Sequence, residues 1–199
     1  MSAYVYVEGG GTASLDRRCR AEFAKLLKKC ELERMPRLVA CGSRANAYKR
    51  FQAHHRTKSA ADYIVLLVDS EEPVADTEKP WQHLGERDKW SRPGGATDQQ
   101  VFLMTTCMET WIISDHAALH EHYGHCLQEP ALPPAVNIER RPRNEIQDGL
   151  SRATRTCSNA YKKGKRSFEI LGKLHPDALR DLPSFTRMRR ILQERLKPQ

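Results

Sequence analysis

The sequence predicts an α/β domain: a mostly parallel sheet flanked by helices, with a basic helical C-terminal segment. Three observations carry this. Short apolar runs occur at Tyr4 to Val7, Leu38 to Cys41 and Tyr63 to Val68. Helix-like stretches separate them, and glycine or hydroxyl residues stand at the junctions. Strand, helix, strand, helix, strand is the rhythm of a parallel sheet.

The first run, "YVYV", is aromatic and β-branched, and leads into Glu8 and three glycines. Glycine admits backbone angles and close approaches that other residues resist. Thr12 or Ser14 then caps a helix from about Leu15 to Lys29. Such a turn serves equally as a tight connection; phosphate-loop and dinucleotide fingerprints do not fit it. After "LVAC", the stretch "RANAYKRFQAHHRT" reads as a helix with Ala45, Tyr48 and Phe51 on one face. The run Tyr63 to Val68 is apolar throughout, as expected of a strand covered on both faces.

Residues 73–98, rich in Pro, Gly, Trp and charge, read as a long functional loop. "QQVFLMTTCMETWIISDHAAL" predicts a buried strand running into a helix. The remainder reads as helical: Ile146, Leu150, Ala153 and Cys157 form one stripe, and Ser167 is a candidate cap for a short helix. Phe185, Met188, Ile191, Leu192 and Leu196 line a last helix. The expected organisation is a core over 1–138 and a helical segment over 139–199 packed on the same domain.

The chain has 199 residues, 39% of them hydrophobic and 29% charged, enough to bury a core without disorder. No apolar stretch has the length of a membrane span and no signal-peptide pattern opens the chain, so a cytoplasmic protein without a membrane role is expected. The six cysteines are scattered with no Cys-x-x-Cys pair, which predicts reduced, mostly buried thiols. The net charge of +8 is uneven: residues 1–139 carry 17 Lys/Arg against 19 Asp/Glu, residues 140–199 carry 16 against 6. A basic C-terminal segment attracts polyanions, nucleic acid first among them; a solvated basic face is the plainer alternative.

"LLVDSEE" repeats the opening theme, a buried strand ending in Asp69, Glu71 and Glu72. Parallel strands present their C-terminal ends along one edge, where sites gather. If the strands ending at Glu8 and Asp69 are neighbours, their carboxylates meet, and a hard divalent cation such as Mg²⁺ or Mn²⁺ is the simplest compensation.

Glu8 before a glycine turn and helix, then an apolar strand ending Asp69-Ser70-Glu71, resembles the Toprim domain of topoisomerases, primases and OLD-family nucleases. Over nearly the whole chain the sequence is also similar to a family of uncharacterised bacterial proteins called DUF4276. That similarity is carried by "VEGGGT", "RLVACGSRANAY", "LLVDSEEPV", "PWQHL", "DQQVFLMTTCMETWIISD" and "YKKGKRSFEIL".

The resemblance implies a Toprim-like, Rossmann-like sheet with a divalent-metal site on its edge. It makes Glu8 a metal ligand or general base, and gives Asp69 and Glu71 the acidic positions of an Asp-x-Asp motif. Glu71 departs from that motif, its longer side chain shifting the ion or binding it through water. Glu109 resembles a glutamate that helps hold a second metal in OLD-type nucleases; a buried Glu paired with an Arg is the structural alternative. Lys163 or Lys165, in "YKKGKRSFE", would offset charge on a scissile phosphate, and Lys162, Arg166, Arg152 and Arg155 would hold a nucleic-acid backbone.

The function implied is a metal-dependent nuclease, working with a separate ATPase as in antiphage defence. The alternatives are a non-catalytic interaction subunit of such an ATPase, or a phosphoryl-transfer enzyme acting on a small nucleotide. His116 and His120 share a helical spacing used by zinc enzymes, but the partnering Glu of that motif is absent and a zinc site is not expected. His83, Arg87 and Asp88 are polar residues available to substrate. Trp81 and Trp90 either stack on bases or pin the long loop to the body.

Overall fold

The computed structural model describes residues 2–59 and 61–197; Met1, Ala60 and residues 198–199, which fall within the two predicted segments, lie outside it. Four strands, β1 (Ala3–Val7), β2 (Arg37–Ala40), β3 (Tyr63–Asp69) and β4 (Val101–Met104), form one sheet in the order β2-β1-β3-β4. Every pairing is parallel, the Rossmann-like arrangement, with Val7 opposite Leu67 and Asp69 opposite Met104. The ends of β1 and β3 are therefore adjacent.

The period of two along each strand sends alternate residues to two cores. Val5, Val7, Val65, Leu67, Phe102 and Met104 face one core, built with α1 (Ala13–Lys29), α4 (Met108–Ser114), α5 (His116–Tyr123), α6 (Arg143–Thr154), α7 (Lys165–Leu171) and α8 (Pro183–Arg195). Tyr6, Ile64, Leu66 and Val68 face the other, against α2 (Arg44–Thr57) and α3 (Pro80–Asp88). All seven residues of β3 are buried, which is why that run carries no polar alternation. The C-terminal helices share the larger core with the sheet: Phe185, Met188, Ile191 and Leu192 of α8 are at most 1% exposed. Among the described residues no helix is long and apolar enough to cross a membrane.

Several local expectations are corrected. Residues 73–98 are not a loop throughout: α3 starts with Pro80 in the first turn and buries Trp81 and Leu84. Trp81 donates its indole N–H to the Thr97 carbonyl at 3.1 Å, and Trp90 stacks on Tyr48 at 4.3 Å between ring centroids. Both tryptophans thus pin this segment to the body. In α2 the buried stripe is Ala47, Phe51 and His55, with Ala45 exposed. Ser167 lies inside α7, its hydroxyl accepting from the Gly164 N–H at 3.2 Å. The thiols are not all reduced: Cys126 and Cys157 form a disulfide across Cα atoms 5.3 Å apart, while Cys19, Cys30, Cys41 and Cys107 are free and buried.

A candidate metal centre at the sheet edge

The glycine turn after β1 has identifiable causes. Gly9 and Gly10 have φ of +130° and +97°, angles that side chains resist. A Cβ on Gly10 would sit 2.0 Å from an Asp16 carboxylate oxygen, and one on Gly9 would sit 2.9 Å from the Phe168 ring. Asp16 accepts from the Gly11 N–H at 2.8 Å, and Thr12 caps α1 through the Leu15 N–H. The turn leaves Glu8 at the sheet edge, its backbone N–H donating to the Leu67 carbonyl. Ser43 caps α2 through Asn46 and places Arg44 in the first turn beside the end of β2.

One oxygen from each of Glu8, Asp69 and Glu71 lies within 4.8 Å of the others. Glu8 Oε2 accepts from the Asp69 N–H at 3.1 Å. Asp69, 4% exposed, directs Oδ1 to the Met108 N–H at 2.9 Å, leaving Oδ2 for the cleft. Glu71 takes left-handed backbone angles, φ +69°, rare for a non-glycine residue, and donates its N–H to the Thr106 carbonyl at 2.8 Å.

Two arginines answer this charge. Arg44 Nε donates to the Asp69 carbonyl at 2.8 Å and lies 3.7 Å from Glu8 Oε2, while its other nitrogens grip Asp88 at 2.5 and 3.0 Å. Arg143 ion-pairs with Glu71 and lies 3.7 Å from Asp69 Oδ2. Burial is the largest influence on Glu8 and raises its pKa, against the Asp69 N–H and the charges of Arg44, Lys163 and Arg143. Burial, then the neighbouring Glu8 and Glu109 carboxylates, raises Asp69 well above the ordinary range despite Arg143 and Lys163. The acids share a strained electrostatic site that additional positive charge would relieve.

The site opens into a cleft of about 350 Å³ lined by Gly9, Leu15, Met104, Met108, Lys163 and Phe168, with Glu8, Asp69 and Glu109 on its polar side. Glu109 is fully buried and paired with no arginine: its oxygens accept from Tyr161 at 2.5 Å, Gln147 at 3.3 Å and Ser167 at 3.4 Å. It lines the cleft without joining the tight trio. Of the two candidate lysines, Lys163 lines the cleft and acts on Glu8 and Asp69, whereas Lys165 faces a second groove. That groove contains Lys162, Lys165 and Arg166 and shares Leu15, Lys163 and Gly164 with the first. Arg152 and Arg155 are exposed on and just after α6 and line neither groove.

His83 bonds the Ser70 carbonyl at 3.0 Å, bracing the strand end rather than facing the cleft. His116 and His120 both contact Glu129, at 2.7 and 2.8 Å, but among the described residues only the Glu8 trio brings three ligand atoms within mutual reach.

Sequence reasoning missed Arg44, Arg143, Tyr161 and Gln147. Arg44 carried a signal, a cation in the helix turn directly after a strand end; Arg143, beyond a proline-rich break, carried none.

The trio suits a hard cation. All donors are carboxylate oxygens, with no thiolate or imidazole among them. Octahedral Mg²⁺ spaces its ligand oxygens by about 2.9–4.2 Å, so a modest closure brings the three into range.

A search of curated proteins finds no match, and neither does a search of solved structures. One family profile, described as a domain of unknown function (DUF4276), matches residues 7–193, nearly the whole chain. The chain belongs to the DUF4276 family.

Proposed function

We propose that this protein is a divalent-metal-dependent nuclease of Toprim type, hydrolysing phosphodiester bonds with Mg²⁺ or Mn²⁺ at the sheet edge. The observation that supports it is the convergence of Glu8, Asp69 and Glu71 from two adjacent strand ends, with Glu8, Asp69 and Lys163 lining one cleft. Glu8, Asp69 and Glu71 would hold the ion, with Glu109 the candidate for a second. The ion's chemistry, when bound, is to acidify water and offset charge on the phosphate. Glu8, at the end of the first strand, would take a proton from the attacking water, a role the resemblance gives it. Lys163 would neutralise a phosphate oxygen in the cleft. The groove of Lys162, Lys165 and Arg166, continuous with the cleft through Lys163, gives a polyanion's flanking phosphates a path. A separate ATPase as partner rests on the resemblance to OLD-type systems alone.

Cleavage of plasmid DNA or tRNA with Mg²⁺ or Mn²⁺, compared with Asp69→Ala, tests this reading. Metal-dependent cleavage lost in the variant supports it; cleavage unchanged in the variant refutes the site. Turnover confined to mononucleotides would favour the small-substrate enzyme.

A non-catalytic interaction subunit is the second reading, favoured by one observation. Arg44 and Arg143 already pair with the acids, so the edge is partly neutralised without an ion.

A further inference from the structure

We infer that Arg143 is a built-in competitor for the metal position: its guanidinium stands where the divalent cation would bind, and ion and arginine exclude one another. The inference rests on the metal reading above and concerns its regulation.

The two arginines at the edge are held differently. Arg44, though 3.7 Å from Glu8 Oε2, is held mainly by groups other than the trio's carboxylates, namely Asp88 through two nitrogens, the Asp69 backbone carbonyl, and the face of Trp90 at 4.8 Å. Its side chain is 11% exposed, and its place would not change with metal. Arg143 forms ion pairs with Glu71 and Asp69, the carboxylates offered to the ion. Asp69 Oδ1 is committed to the Met108 N–H, so the oxygen that Arg143 faces, Oδ2, is the one left for a metal.

Arg143 is also placed to leave. It is the first residue of α6, with Pro142 before it and no side-chain cap, and its side chain is 21% exposed at the edge of the site. A guanidinium is weakly hydrated and presents a fork that suits phosphate as well as carboxylate. Displaced by the ion, it exchanges two carboxylates for solvent or for a substrate phosphate. Metal occupancy is then a contest between one divalent ion and one resident monovalent cation, and loading requires a higher ion concentration than the acids alone would need.

The test is Mn²⁺ titration by calorimetry on the full chain, with Arg143→Gln, Arg143→Lys and Asp69→Asn beside the wild type. Arg143→Gln is expected to bind Mn²⁺ at least about tenfold tighter, the effect of removing a like charge a few ångströms from the ion. Arg143→Lys keeps the charge without the fork and is expected to fall between the two. It carries the test if the Gln variant does not fold. Binding by Arg143→Gln where the wild type shows none would support the inference equally. Equal or weaker binding in both Arg143 variants, with binding abolished in Asp69→Asn, overturns the competition and leaves the metal reading standing. No Mn²⁺ binding in any variant overturns both.

Discussion

Two buried carboxylate sites in this molecule differ in kind. Glu139, 8% exposed, faces the start of α8, where both oxygens accept from the Ser184 N–H at 3.3 Å and one from the Ser184 hydroxyl. Burial raises its pKa to about 7, and that helix end accounts for all its described hydrogen bonds. At the sheet edge, Glu8, Asp69 and Glu71 also lose solvent, but they face one another, and hydrogen bonds alone do not settle like charges at that separation. Burial of a carboxylate is not by itself a functional signal. Convergence from separate strands, in a cleft, with cations gathered around it, is a stronger one.

The largest expected effect separates the two sites by activity. Asp69→Ala or Glu8→Gln lowers metal-dependent cleavage by about 10²–10³-fold or more, whereas Glu139→Gln leaves it within a few-fold. Rates on a plasmid substrate check this, and equal losses at the two sites would erase the distinction.

Within the cleft, Lys163→Ala is expected to cost about 10²-fold in rate, against only a few-fold for Lys165→Ala, whose side chain faces the neighbouring groove. The reverse order would reassign the phosphate-neutralising lysine.

Stability sharpens the comparison further. Burial and the neighbouring carboxylates disfavour the Asp69 charge, so removing that charge by Asp69→Asn is expected to stabilise the metal-free protein. At about 2–4 °C per kcal/mol for a chain of this size, the melting temperature at pH 7 rises visibly. A fall would mean that the arginines fully compensate the carboxylate.

The last effect is a slope. Glu139 holds its proton more tightly in the folded than in the unfolded state, since its pKa rises from 4.5 to about 7. Its contribution is therefore greatest at low pH, declines as pH climbs from 4.5 to about 7, and stays lost above that. Glu139→Gln should flatten the stability profile across this window by about 3 kcal/mol, read from urea melts at several pH values. An unchanged slope would place the titration elsewhere.

Much of this was legible in the chain because it is written locally. The apolar run Tyr63 to Val68 has no polar alternation because both faces of β3 are covered, and the Thr12 cap needs only its own helix. The adjacency of Glu8 and Asp69 was a condition that the parallel rhythm allowed without fixing, and the direct pairing of β1 with β3 supplies it. What stayed hidden depends on distant partners. The helix α3 lies in a segment whose proline and glycine content suggests irregular chain, and its identity rests on packing Trp81 and Leu84 against the sheet. Cys126 and Cys157, 31 residues apart, meet only through the fold. Arg143 reaches the acids from the far side of the domain's connectivity, and Glu109 found neutral donors, Tyr161, Gln147 and Ser167, where a paired arginine was the plain structural alternative.

The central claim is that the two strand ends form one cation site. Anomalous scattering from crystals grown with Mn²⁺ tests it most directly. The account predicts a peak bonded to oxygens of Glu8, Asp69 and Glu71, with the Arg143 guanidinium moved away from them. Crystals soaked to saturation that show no peak at the sheet edge, with Arg143 still paired to Glu71, would contradict it.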